Sequence, residues 1–108
     1  MSAQSLNAES FEHLVLRSER PALVEFWAPW CSHCHNLESA FDQLASQYAN
    51  HLTVAKINID EEPALAERYY IEFVPTLILF ADGEQVDFVI APSSAAAIEQ
   101  FLSENLQP

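Results

Sequence analysis

The sequence predicts an α/β domain in which a central mixed sheet of four to five strands is flanked by four helices. Two apolar runs, 22–28 and 52–59, carry too few polar positions for a strand with one wet face, so each reads as a central strand covered on both sides. Around them, apolar residues recur at the three- and four-residue spacing of helices that bury one stripe. Near the end, 76–80 and 86–90 flank Asp82-Gly83, a residue pair that favours a tight hairpin turn. Strands that first alternate with helices and then close through a hairpin imply a sheet of mixed direction.

The elements follow in order. Residues 3–6 form a weak strand candidate, and Asn7 is placed to cap a short helix with Phe11, Leu14 and Val15 on its inner face. Arg20-Pro21 ends it, and the 22–28 strand follows. From Cys31 onward Leu37, Phe41, Leu44, Ala45 and Tyr48 mark one face of a long helix that ends near Asn50. The 52–59 strand is rich in β-branched residues, and Pro63 opens a short helix that reaches to about Tyr70. After the hairpin a last helix, 94–105, buries Ile98, Phe101 and Leu102. Gly83 is the only glycine of the chain, and no repeat, linker or low-complexity segment interrupts it.

Length and composition set outer limits. At 108 residues, half of them hydrophobic, the chain supports one core, and 1–108 reads as a single domain. Sixteen carboxylates against four lysines and arginines give a net charge of -12, which repels nucleic acid and anionic membranes. No apolar run approaches the roughly 20 residues of a membrane span. The start, Met1-Ser2-Ala3-Gln4-Ser5, lacks the basic and apolar pattern of a secretory leader, so a cytoplasmic location and a monomeric state are expected.

Chemistry concentrates in Glu25-Phe26-Trp27-Ala28-Pro29-Trp30-Cys31-Ser32-His33-Cys34-His35. Both cysteines lie there, three residues apart at the start of a helix, a spacing that brings their side chains to one face and permits a disulfide. Because a bridge over so short a loop removes little unfolded-chain entropy, its purpose is redox chemistry rather than stability. Cys31, at the helix start, meets unpaired backbone N–H groups and the positive end of the helix dipole, which favour its thiolate. It is the expected nucleophile, and Cys34 the resolving thiol. His33 sits in the first turn between the two sulfurs, where its imidazole would stabilise the Cys31 thiolate and make the disulfide easier to reduce.

Glu25 is a carboxylate within an apolar strand, and burial raises its pKa. Lys56, the only lysine, lies in the other apolar run; a buried pair is cheaper than two isolated charges, so mutual contact is expected. A metal reading is weaker. Cys31, His33, Cys34 and His35 offer four ligands within five residues, but one helical turn cannot aim all four at a tetrahedral ion, and His13 and His51 have no cysteine to join them.

Trp30-Cys31-x-x-Cys34 after Val24-Glu25-Phe26-Trp27, then Leu52-Thr53-Val54-Ala55-Lys56-Ile57-Asn58-Ile59-Asp60 and Val74-Pro75-Thr76, resembles the thioredoxin family in three separated motifs, from about Ala3 to Leu106. The resemblance implies a thioredoxin fold and a protein thiol–disulfide oxidoreductase without a bound cofactor, its redox-active group being the Cys31–Cys34 disulfide. It implies protein disulfide or dithiol substrates, and a thioredoxin reductase or an oxidase as electron partner. By the same resemblance Glu25 is the proton acceptor for Cys34 with Lys56 beside it, and Val74-Pro75 is a cis peptide facing Cys31. Trp30, Ser32, Phe73, Val74, Pro75 and Ile90 then form the substrate groove, with Trp27 as packing residue and Asp60 as acceptor for its indole.

The departures are equally specific. Ser32-His33 is nearer the Gly-His of protein disulfide isomerases than the Gly-Pro of ordinary thioredoxins, which points to a more oxidising protein. Phe73 and Ile90 stand where glycines are usual, Ser39 replaces a helix-kinking proline, and Glu72 replaces a common basic residue. A bulkier, more acidic groove follows, and recognition by a standard thioredoxin reductase is in doubt. Two other readings stay open: a client-binding or redox-sensing module with little turnover, and a metal- or cluster-binding protein through Cys31 and Cys34.

Overall fold

The computed structural model of the chain describes residues 3–106; Met1-Ser2 and the last two residues of the domain expected over 1–108 lie outside the described residues. Five strands form one sheet in the order β1-β3-β2-β4-β5, with β1 at Gln4–Ser5, β2 at Ala22–Trp27, β3 at Thr53–Asn58, β4 at Thr76–Ala81 and β5 at Glu84–Ile90. β1 and β2 run parallel to β3, while β4 is antiparallel to both β2 and β5. The helices are α1 at Ala8–Phe11, which widens into a π-helical turn at Glu12–Leu16, then α2 at Ser32–Gln47, α3 at Pro63–Arg68 and α4 at Ala95–Asn105. This is the mixed α/β thioredoxin fold that the sequence predicts.

The two-residue alternation of strands sorts the core into two layers. Leu23, Val54, Leu77 and Leu79 face Leu37, Phe41 and Leu44 of α2 and Ile98, Phe101 and Leu102 of α4. Their strand neighbours Val24, Phe26, Ile57, Ile78 and Phe80 face Phe11, Val15 and Leu65 on the other side. There Phe11, Tyr69 and Phe80 meet edge to face with ring centroids 5.2 to 5.7 Å apart, so Tyr69 fastens the end of α3 to the sheet.

Local chemistry accounts for the boundaries. Asn7 caps α1 by accepting from the Ser10 N–H, and Ser94 caps α4 by accepting from the Ala97 N–H. Leu14 departs from expectation: it is exposed while Phe11 and Val15 are buried. The Arg17 N–H reaches back to the Glu12 carbonyl, and this five-residue bond widens the turn and rotates Leu14 off the inner face. Asp82 and Gly83 both have positive φ, as a tight hairpin turn requires. A Cβ at Gly83 would also lie 2.7 Å from the Leu16 carbonyl oxygen, so the turn is packed against the end of the π-helical segment. Among the described residues, no helix is long and apolar enough to cross a membrane.

Candidate active site

The site forms where β2 runs out and α2 begins. Cys31 is the N-cap of α2, its Sγ accepting the Cys34 N–H at 3.1 Å, and the two sulfurs form a disulfide with a Cα–Cα distance of 5.3 Å. Both cysteines are nearly covered, Cys31 at 7% exposure and Cys34 at 4%, by Ala28, Trp27, Ile59 and Val74. Val74-Pro75 is cis, and the Val74 carbonyl oxygen lies 3.6 Å from Cys31 Sγ. Of the residues expected to form the groove, Trp30, Ser32, Phe73 and Ile90 are exposed, Val74 is half-buried and Pro75 buried. Trp30, Val74 and Phe73 line a cavity of about 280 Å³ together with Ile59, Ile71 and Glu72.

Glu25 is on the same face as Leu23, beneath α2, at 3% exposure, and its Oε2 has no hydrogen-bond partner. Burial pushes its carboxyl up from about 4.5 to about 7; Lys56 opposes that rise, and Glu38 and Asp42 on α2 add to it. The expected Glu25–Lys56 contact takes a different form. The two are register partners on β2 and β3, but the Lys56 Nζ lies over the Trp27 ring, 5.4 Å from its centroid. A half-buried lysine carries its ammonium outward along an apolar stem, and the indole face receives it.

One further expectation is corrected. Asp60 accepts from the Trp30 indole at 3.3 Å rather than from Trp27, whose Nε1 is buried without a partner. Trp27 points inward from the last position of β2, whereas Trp30 sits beyond the strand end, close to the β3–α3 loop that carries Asp60. His33 does not direct its Nε2–H at the sulfurs: that group donates to the Pro92 carbonyl at 3.0 Å and ties α2 to the loop after β5.

The sequence offers His35 only as a possible ligand, yet its Nε2–H donates to the Pro29 carbonyl at 2.6 Å and its ring meets Trp27 edge to face. It clamps the loop that delivers Cys31. Its place four residues after Cys31, one turn along the helix, was the signal for a side chain able to reach back over that loop. With both histidines committed to carbonyls, neither Nε2 is directed at the cysteines. Among the described residues, no group of three or more His, Cys, Asp or Glu side chains is arranged to hold a metal ion.

Comparison with known proteins agrees with this geometry. The family model described as Thioredoxin matches residues 2–104. Thioredoxin 1 of Synechococcus elongatus is 38% identical over 104 residues, covering 96% of this chain and 97% of that protein. Thioredoxin of Porphyra purpurea is 38% identical over 104 residues, with the same coverages. The chloroplastic M-type thioredoxin of Pisum sativum is 40% identical over 97 residues, 90% of this chain and 56% of that protein.

Proposed function

Because the chain belongs to the thioredoxin family and is a thiol–disulfide oxidoreductase, we propose that it exchanges disulfides with protein partners through attack by Cys31 and resolution by Cys34. The observation that carries this reading is the Cys31 sulfur at the cap of α2, bonded to Cys34 and facing the Val74 carbonyl. In the reducing direction the Cys31 thiolate attacks one sulfur of a partner disulfide, forming a mixed disulfide and releasing the other sulfur as thiolate. Cys34 then loses its proton and attacks Cys31 Sγ, closing the Cys31–Cys34 disulfide and releasing the second partner thiolate. Two electrons pass to the partner; the reverse sequence oxidises it.

Glu25 is the proton acceptor for Cys34. Its buried, unpartnered Oε2 and its pKa near 7 suit a base that must bind and release a proton near neutral pH. Lys56 moderates that pKa, and Trp30, Ser32, Phe73, Val74, Pro75 and Ile90 receive the partner chain. No bound cofactor is required, and a reductase of the thioredoxin reductase class supplies electrons when the protein works as a reductant.

The poise lies between about -270 mV and about -180 mV, the thioredoxin and protein disulfide isomerase values. Support comes from the Ser32-His33 pair, which sets an imidazole in the first turn of α2 beside the sulfurs, where ordinary thioredoxins carry proline. Equilibration with glutathione measures this, and His33→Pro should lower the potential by tens of millivolts; an unchanged value would remove His33 from the redox role. Insulin reduction with dithiothreitol tests the reaction itself. Wild type should accelerate it and Cys31→Ser should leave it at background, whereas a pure client-binding or redox-sensing module would already be at background as wild type.

A further inference from the structure

Beside the groove at Cys31 lies a second cavity of about 280 Å³, on the far side of Phe73, lined by Tyr70, Ile71, Phe73, Ile78, Phe88 and Ile90 among others. Its walls come from β4, β5 and the segment after α3. The helical layer of α1 and α3 covers β2 and the inner part of the sheet but stops short of β5, so Phe88 and Ile90 are 51% and 45% exposed. Tyr70 stands at the rim, 87% exposed, with φ at +56. The Tyr70 N–H bonds the Glu67 carbonyl and the Ile71 N–H the Ala66 carbonyl, the helix-ending pattern whose left-handed position normally takes glycine. A tyrosine there costs backbone energy and spends it on an exposed ring, where a purely structural turn has no use for one.

Charge restricts what fills the cavity. Glu72 lines it, whereas the Asp87 carboxylate lies on the other face of the sheet and accepts from the Asn105 side chain of α4. Three of the four lysines and arginines are held elsewhere, Arg17 by Glu12, Arg20 by the Ala49 carbonyl and Lys56 over Trp27, while Arg68 lies over Tyr69, itself a lining residue of the cavity. A second copy of the chain would bring another net charge of -12 against Glu72 and the acidic surface around it. An apolar side chain flanked by positive charge satisfies both the wall and its rim. The volume is below that of drug-sized sites and suits one large side chain.

The cavity is also continuous with the redox site, because Ile71, Glu72 and Phe73 line both it and the cavity that includes Trp30 and Val74. We propose that this second cavity is a specificity subsite that takes an aromatic or aliphatic side chain of the protein substrate, flanked by lysine or arginine. Because the two cavities adjoin, an extended substrate would carry that anchor a few residues from its cysteine. The proposal rests on the thiol–disulfide reading and adds to it the class of sequence the protein selects.

The test uses disulfide-linked peptides reduced by the dithiothreitol-reduced protein. Each carries Phe, Leu or Ser about four residues before or after the cysteine, with Lys or Glu on either side of that position. Hydroxyethyl disulfide serves as a small probe that needs no subsite. Phe with Lys flanks should give a kcat/KM about tenfold above Ser, the scale of discrimination an apolar pocket provides. Glu flanks should erase the gain. Phe88→Ser and, separately, Tyr70→Ser should cut the preference to under about twofold while the hydroxyethyl disulfide rate holds, and Phe88→Leu should retain it. Absence of the preference in wild type, its survival in Phe88→Ser, or an equal fall in the small-probe rate would overturn the subsite. So would a stable dimer by light scattering at assay concentration that Phe88→Ser dissolves. Failure of wild type to reduce hydroxyethyl disulfide would instead sink the thiol–disulfide reading.

Discussion

Strands β4 and β5 share one hairpin and pair from Thr76–Ile90 to Ala81–Glu84, yet every residue of β4 except its last is buried, while no residue of β5 is. Their compositions barely foretell this, since Val86, Phe88, Val89 and Ile90 are as apolar as Leu77 or Ile78. Position decides it. β4 lies between β2 and β5 with helices on both faces, and β5 is the sheet edge. Burial gives β4 the task of holding the fold, and exposure leaves the apolar side chains of β5 for contact with another molecule. An edge strand of this kind invites pairing with other chains unless something blunts it; here the irregularity at Leu79/Phe80 and the charges of Glu84 and Asp87 serve that end.

Truncation on the two strands should separate these tasks most widely. Ile78→Ala in β4 should cost about 2 to 5 kcal/mol, the range for a fully buried aliphatic side chain, and Phe88→Ala in β5 less than about 1 kcal/mol. Urea titrations read both, and equal losses would abolish the distinction.

Among the described residues Glu25 is the one buried carboxylate, and on β2 it pairs with Leu77 of β4. Its folded pKa, about 7, exceeds the ordinary value of 4.5, so the folded state binds the extra proton between these pH values and loses stability as pH rises through them. Glu25→Gln should match wild type near pH 4 and exceed it by about 3 kcal/mol at pH 8. Resolution of a mixed disulfide by Cys34 should slow in the same variant, while the first attack by Cys31 stays intact. A stability difference that does not vary with pH would show that Glu25 does not titrate as its burial implies.

The turn between the strands should respond at an intermediate level. Gly83→Ala meets both the positive φ and the Leu16 carbonyl, and should lower stability by about 2 kcal/mol in thermal melts. On the exposed side, Tyr70→Gly relieves a left-handed residue at the expense of a more flexible unfolded chain, and should raise stability by only about 0.5 kcal/mol. A loss instead would mean that the Tyr70 ring contributes packing that its exposure hides.

The succession of strands and helices along the chain and the cysteine pair were legible because each rests on a short-range pattern: periodicity, the Asp82-Gly83 turn, and three-residue spacing at a helix start. What escaped depends on where a side chain goes after its backbone is placed. Glu25 and Lys56 are register partners as two buried strands suggest, but the lysine is long enough to leave for the Trp27 face. His33 occupies its predicted position and turns to a loop nearly sixty residues away in sequence. Asp60 receives the Trp30 indole, and the path of the chain beyond β2, not a local pattern, decides that. The exposure of β5 required the strand order, which no local pattern encodes.

The cap on α2 gives the protein an internal reporter. The Cys34 amide hydrogen points at Cys31 Sγ, the atom whose charge changes in the catalytic cycle. In the disulfide that sulfur is neutral, whereas in the thiolate it accepts the same N–H as an anion, and charge-assisted hydrogen bonds are shorter and roughly twice as strong. The backbone amide resonance of Cys34 will therefore move as Cys31 ionises. An isotope-labelled sample can thus follow the nucleophile through a pH titration with no reagent attached to sulfur, and the chemistry of the site is recorded in the nuclear magnetic resonance of a peptide bond.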